Sequence, residues 1–219
     1  MQFTTLFFDL DDTLYSPENG VWDAILVRIE QFMFERLHIP LAEIPTLRAE
    51  LYHKYGTTLR GLQLLWHVNE LEFVEYVHDV PLDRMLAPDP ALHSLLMRYP
   101  QRKFIFTNAD RNHACRVLDR LQVRDCFEGI VDILDVSPYC KPMPEAFATA
   151  LQRAGVGNAG ECIFLDDSLH NLQAARNLGF TTVRVGSREP HDACHASIAN
   201  LSELQEILDP LLAVHTRES

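Results

Sequence analysis

A chain of 219 residues, 47% hydrophobic and 23% charged, has the apolar content to bury a substantial core as one domain with an insertion or as two small domains. Its formal net charge of −12 argues against nucleic acid polymers as partners, because a phosphate backbone needs a cationic face. The same charge repels anionic substrates on average, so phosphate-ester chemistry would need local cations. No stretch approaches the roughly 20 apolar residues of a membrane span, so no membrane partner is expected. The amino terminus lacks a basic segment, so no signal peptide is expected. Five cysteines, without a Cys-x-x-Cys pair, predict reduced thiols in a cytoplasmic setting.

The first predicted element is the run Leu6-Phe7-Phe8, which leads without alternation into Asp9, Asp11 and Asp12. Continuous apolar residues fit a strand buried on both faces, as in a parallel sheet. Unpartnered carboxylates cannot continue into that core, so the strand ends where they begin and presents them at its carboxyl edge. Asp9 and Asp11 are two apart and share a face if the chain stays extended. Their repulsion is relieved by a shared proton, an intervening cation, or one side chain turning away. Clustered oxygen ligands suit a hard cation such as Mg2+.

From about residue 17 to residue 86 the pattern is helical. Trp22, Ile25, Leu26, Ile29, Phe32 and Met33 follow the spacing of an amphipathic helix. Pro40 and Pro45 interrupt it, and a second helix runs through Leu47, Leu51 and Tyr52 to Gly56. Two more segments follow, around 59–68 and 71–80, and Pro81, Pro88 and Pro90 mark a boundary. Residues 16–87 therefore read as an all-helical cap inserted after the first strand, with 1–15 and 88–219 forming an α/β core. In that core a helix around Leu92–Leu96 leads to strand Phe104-Ile105-Phe106, which stops at Thr107-Asn108. Next come a helix (Ala114, Val117, Leu118, Leu121), a strand around 130–134, and a helix ending at Gly155. Strand 162–165 stops at Asp166-Asp167-Ser168 and is followed by a helix to Gly179, strand 181–185, a loop over 186–199 and a helix over 201–213. Alternating strands and helices predict a doubly wound, Rossmann-like parallel sheet.

In a parallel sheet the strand ends Asp9/Asp11, Thr107-Asn108 and Asp166-Asp167 share one edge, together with Lys141 in the loop before a helix. An ionised carboxylate can attack phosphorus. A divalent cation held by the acids screens its repulsion from the phosphate, while a hydroxyl, backbone N–H groups and a lysine receive the phosphoryl oxygens.

The ordered set Asp9-x-Asp11-x-Thr13, Thr107, Lys141 and Asp166-Asp167 resembles the four motifs of the haloacid dehalogenase superfamily, over nearly the whole chain and with the cap in the expected place. The resemblance implies Asp9 as nucleophile forming an aspartyl-phosphate. Asp11 is then the acid that protonates the leaving oxygen and later activates water. Thr107, Asn108 and Lys141 bind phosphate, and Mg2+ is held by Asp9, the Asp11 carbonyl and Asp167, with Asp166 in an outer role. An aspartate at position 11 favours a phosphatase over a dehalogenase. Residues Lys54–Leu62 and Phe106–Asp110 resemble the pyrimidine 5′-nucleotidase-like subgroup, which implies UMP or CMP as the small phosphorylated metabolite and Tyr55 or Arg60 as contacts to the nucleoside.

Other residues have plainer expectations. Asp12 is a solvated or capping neighbour, Asp110 caps the helix starting near Arg111, and Ser168 and Asn171 cap the next, with Asn171 alternatively reaching a metal-bound water. The plainer alternative for Arg60 is a surface cation and for Tyr55 packing within the cap, and Trp22 and Trp66 are apolar anchors of the cap. His191, Cys194 and His195 belong to a solvated loop without a fourth ligand. The competing activities are a sugar-phosphate phosphatase or phosphoglucomutase-like transferase, a phospho-accepting signalling module, and a binding protein with a dead site.

Overall fold

A computed structural model describes residues 3–214. Strand β1 (Thr5–Phe8) is buried along its whole length. The chain then becomes helical: α1 (Val21–Glu35), α2 (Ile44–Tyr55), α3 (Thr58–Trp66), α4 (Glu70–Val77) and α5 (Leu82–Met85). Strands and helices alternate afterwards through α6 (Pro90–Met97), β2 (Arg102–Phe106), α7 (Arg111–Leu121), β3 (Gly129–Val131), α8 (Pro144–Ala154) and β4 (Cys162–Asp166). The last elements are α9 (Leu169–Asn177), β5 (Thr181–Val185), β6 (Ala196–Ile198) and α10 (Leu204–Val214).

The six strands form one sheet in the order β3-β2-β1-β4-β5-β6, and every pairing is parallel. β1 lies between β2 and β4, so Phe8 is level with Ile105 on one side and Leu165 on the other. The strand order reverses beside β1. Crevices form at such a switch point, outside the carboxyl ends of the strands.

Both faces of β1 are covered, which explains its unbroken apolar run. On one face Phe7, Phe104, Phe106, Phe147, Phe164 and Phe180 pack with ring centroids 5.2 to 6.5 Å apart, mostly in edge-to-face arrangements that suit aromatic quadrupoles. On the other, Leu6 and Phe8 join a cluster that continues into the inserted helices through Ile25, Ile29, Phe32, Phe73 and Val77. Helices α2 and α3 approach closely at Gly61, where an added Cβ would lie 2.6 Å from the Leu51 side chain.

Three expectations change. The strand expected over 130–134 ends at Val131, because Asp132 accepts from the Asp135 and Arg111 N–H groups at 2.9 and 2.7 Å and turns the chain. The loop expected over 186–199 contains β6, paired to β5, and His195 accepts the Thr182 N–H at 3.0 Å. That segment is therefore built into the sheet edge. Trp22 and Trp66, expected as apolar anchors of the cap, are 41% and 38% exposed. The five cysteines are free thiols, and no helix among the described residues is long and apolar enough to cross a membrane.

Candidate active site

The carboxyl edge of the sheet gathers the four motif segments. Asp9 is the first residue beyond β1 and its N–H donates to the Leu165 carbonyl at 2.8 Å. Thr107 follows β2, Asp166 ends β4, and Lys141 comes in on the loop before α8. Lys141, 1% exposed, is the hub. Its Nζ is 2.6 Å from Asp9 Oδ1, 2.8 Å from Asp166 Oδ2 and 2.8 Å from the Phe106 carbonyl. Three acceptors satisfy the three N–H groups of an ammonium.

Asn108 holds that lysine in place. The Lys141 N–H donates to Asn108 Oδ1 at 2.9 Å, and Asn108 Nδ2 donates to the Lys141 carbonyl at 3.0 Å. The Asn108 side chain, expected at the phosphate, is thus turned to the main chain of the lysine loop. Thr107 Oγ1 accepts the Ala109 N–H at 2.9 Å and keeps its own proton to donate.

The acids outnumber the cation. Burial pushes Asp9 above the ordinary carboxylate range; Lys141 pulls it down, but Asp166 and Asp167 add to the rise. Burial and the Asp166 charge push Asp167 up to about 7. For Lys141, burial alone lowers the proton affinity, but Asp166 and Asp9 outweigh it and raise the group above its usual value. Carboxylate oxygens of Asp9, Asp166 and Asp167 lie within 4.8 Å of one another. An all-oxygen donor set carrying uncompensated negative charge fits a hard divalent cation.

The three acids are not equivalent. Asp166 is fully buried, and its oxygens accept from Lys141 Nζ, the Ser168 N–H at 2.8 Å and Asn171 Nδ2 at 3.1 Å. Asn171 therefore orients Asp166, and the Ser168 side chain makes no capping bond. Asp167 and the second oxygen of Asp9, which is 3.5 Å from Thr13 Oγ1, carry the open lone pairs.

Asp11 stands apart from this cluster. Burial raises its proton affinity, but His113 and the Tyr15 hydroxyl, both hydrogen-bonded to it, bring it below the ordinary value. Asp12 adopts a left-handed φ of 58°, which turns the chain sharply away from the sheet edge. Burial and the Asp11 charge push Asp12 up to about 6. Asp110 caps α7 through the Asn112 and His113 N–H groups and also bonds His78.

A cavity of about 380 Å³ opens above these residues, with Asp9, Asp11, Thr107, Lys141 and Asp167 on its floor. Its cap wall includes Trp22, Ile25, Ile29, Arg48, Tyr52, Phe73 and Val77. Neither Tyr55 nor Arg60, expected to contact the nucleoside, lines it. Arg60 is 3% exposed and every donor is engaged: Nε and Nη2 on the Tyr139 carbonyl, Nη2 on the Ile133 carbonyl, Nη1 on Gln63 and Glu70. It ties α3 to the loop that leads to Lys141. The Tyr55 carbonyl accepts from Cys140 Sγ, and its ring lies beside Gly61 and under Lys54 Nζ. Trp22, Arg48, Tyr52, His78 and His113 were not singled out as site residues by the sequence. A histidine one position ahead of the apolar stripe of α7 was the available signal for His113.

A family model described as haloacid dehalogenase-like hydrolase matches residues 3–179. Phosphate metabolism protein 8 of Saccharomyces cerevisiae is 29% identical over 187 residues, covering 79% of this chain and 58% of the yeast protein. Acyl-CoA dehydrogenase family member 10 of Mus musculus is 41% identical over 76 residues, which is 33% of this chain and 6% of that protein. The chain thus spans less than two thirds of either relative. Among solved structures, the HAD-hydrolase YfnB from Bacillus subtilis bound to magnesium superposes with a TM-score of 0.65 at 20% identity, over 95% of this chain and 100% of that one. The β-phosphoglucomutase of Clostridium difficile gives 0.64 at 18% identity, over 98% and 99%. At such identities the two structures share the fold.

Proposed function

Because the chain belongs to the haloacid dehalogenase-like hydrolase family, we propose that it is a Mg2+-dependent phosphomonoester hydrolase working through an aspartyl-phosphate, with pyrimidine nucleoside 5′-monophosphates (UMP, CMP) as substrates. The observation that carries this is the buried Lys141 held 2.6 Å from Asp9 at the floor of a cavity, with the open carboxylate of Asp167 beside them. Likeness to a yeast phosphate metabolism protein supports phosphate-ester chemistry.

Asp9, the Asp11 carbonyl and Asp167 would hold Mg2+, with Asp166 behind them; when bound, the ion offsets the crowding of negative charge and polarises the phosphoryl oxygens. Lys141 opposes the rise in the proton affinity of Asp9 and orients its carboxylate, and with the Thr107 hydroxyl it receives the oxygens of the transferring group. The Asp9 carboxylate forms a bond to phosphorus as the bond from phosphorus to the ester oxygen breaks. Asp11 supplies the proton that the leaving oxygen needs. It rests ionised, and the arrival of an anionic ester beside it raises its proton affinity by like-charge repulsion. In the second step Asp11 takes a proton from water as that water attacks the aspartyl-phosphate, which releases inorganic phosphate and restores Asp9.

The cap wall supports a base over a sugar. Trp22 and Tyr52 are 41% and 40% exposed beside the cavity, amid Ile25, Ile29, Phe73 and Val77, and Arg48 on the same wall pairs with Glu30 at 3.6 Å. Flat rings on an apolar wall suit a stacked heterocycle; a polyhydroxylated sugar laid on that wall would leave hydroxyls unpaired.

The test is phosphate release from UMP and CMP against a panel of sugar phosphates, with Mg2+ and with chelator. Nucleotide turnover that chelation stops and Asp9→Asn abolishes is expected. Turnover by folded Asp9→Asn would remove Asp9 as nucleophile, and preference for sugar phosphates would remove the substrate assignment.

A further inference from the structure

Helix α7 presents one stripe to the chain that returns from the cap. Asp110, His113, Arg116 and Arg120 recur every three or four residues and share a face. That face grips residues 78–86 mainly by their carbonyls. Arg116 donates to His78 O at 2.9 Å and Val80 O at 2.7 Å, and Arg120 to Asp83 O at 3.1 Å and Leu86 O at 3.0 Å. Asp110 Oδ1 meets His78 Nδ1 at 2.6 Å.

His113 is wholly buried in the middle of this stripe. Its ring stacks on that of His78, with centroids 4.5 Å apart and planes 21° apart, and its Nε2 is 2.8 Å from Asp11 Oδ1. Its Nδ1 is buried without a hydrogen-bond partner among the described residues. A proton there would meet no acceptor, so the ring carries it on Nε2 and donates it to Asp11. Tyr15 donates to the same oxygen. Two donors on Oδ1 pin the carboxylate by one end. An aromatic hydrocarbon would fill the space without burying an unpaired nitrogen, so packing alone does not account for a histidine here.

We propose that His113 is the positioning residue for Asp11, and that its stack with His78 ties the orientation of that acid to the seating of the cap's return segment on α7. This rests on the phosphomonoesterase reading above. Asp11 would transfer its proton along a line set by His113, and displacement of residues 78–86 would disturb that line without touching substrate.

The test uses kcat/KM, which covers steps through the first irreversible one, for two esters. p-Nitrophenyl phosphate expels its leaving group without needing a proton, whereas UMP expels an alkoxide that does. His113→Phe is expected to lower kcat/KM for UMP by about tenfold or more, with p-nitrophenyl phosphate changed less than about threefold, as befits a step with little need of an acid. His113→Gln, which keeps a donor, restores part of the loss, and His78→Ala reproduces the pattern more weakly. In an Asp11→Asn background His113→Phe costs nothing further. The ratio of the two esters within one variant is independent of the folded fraction, so poor folding cannot mimic the effect. Equal losses on both esters, no loss, or full additivity with Asp11→Asn would overturn the proposal. A wild type inert toward both esters overturns the phosphatase reading and this one together; a wild type active on both, with unchanged ratios in the variants, overturns this one alone.

Discussion

Lys141→Met keeps most of the length and apolar volume of the side chain and removes its charge. The ammonium is buried and bonded to Asp9, Asp166 and the Phe106 carbonyl, so its loss leaves two buried carboxylates without their counter-charge and a carbonyl without its donor. Deleting one partner of a buried ion pair costs about 3–5 kcal/mol. For a chain of this length that lowers the thermal midpoint by roughly 6–20 °C. The pH dependence follows from Asp9, which burial already raises above its ordinary value while Lys141 opposes the rise. Without the lysine the folded-state value climbs further. A carboxylate raised in the folded state takes up its proton there at a pH where the unfolded chain is still ionised. The penalty is therefore relieved as pH falls and is complete above the folded value. Calorimetric melts of both proteins in chelator should show the widest gap at pH 8, narrowing toward pH 5. A gap under about 2 °C at pH 8, well below what a broken buried pair produces, or one that widens as pH falls, would refute the reasoning.

Arg60→Met should destabilise the fold by about 3 kcal/mol, since it strands Glu70 and two carbonyls, while leaving the order of preference among phosphate esters unchanged; a nucleoside contact would alter that order. Asp167→Asn isolates the group pushed up to about 7. A raised carboxylate weakens the fold as pH rises through the interval between its unfolded and folded values, so the melting temperature of the metal-free wild type should fall relative to the variant between about pH 4 and pH 7. Mg2+ at 100 times its Kd should then stabilise the wild type by about 2.7 kcal/mol and the variant much less, as read by melts at pH 8. Trp22→Ala should raise KM for nucleoside monophosphates about tenfold, the equivalent of one lost base stack, with little change for p-nitrophenyl phosphate; steady-state kinetics on both esters check it.

Local patterning carried the architecture. Leu6-Phe7-Phe8 followed by carboxylates marks a buried strand and its end, because no acid continues into a doubly covered sheet unpaired. Gly56 and Gly155, at φ of 85° and 64°, end α2 and α8 where a left-handed turn excludes most side chains. Short elements escaped. β6 has three residues, Ala196, Ser197 and Ile198, too few for alternation to register, and β3 was cut short by the Asp132 turn.

Partners distant in the chain left no trace in the sequence. Arg60 is held by carbonyls at positions 133 and 139, and every residue carries a carbonyl, so nothing at those positions announces the clamp. Asn108 bonds the main chain of Lys141 for the same reason. Trp22 lies on the helical period of α1 yet faces a cavity, because only the packing of α1 against α2 and α4 decides which edge of the stripe stays open. By itself the sequence determined the order of the longer strands and helices and which polar residues stand at their ends, since both follow from hydrophobic spacing within a few residues. Only the tertiary structure decided which of those acids keeps open lone pairs, what His113 touches and which cap residues face the cavity. Those depend on distances between segments scores of residues apart, set by how the inserted helices settle on the sheet.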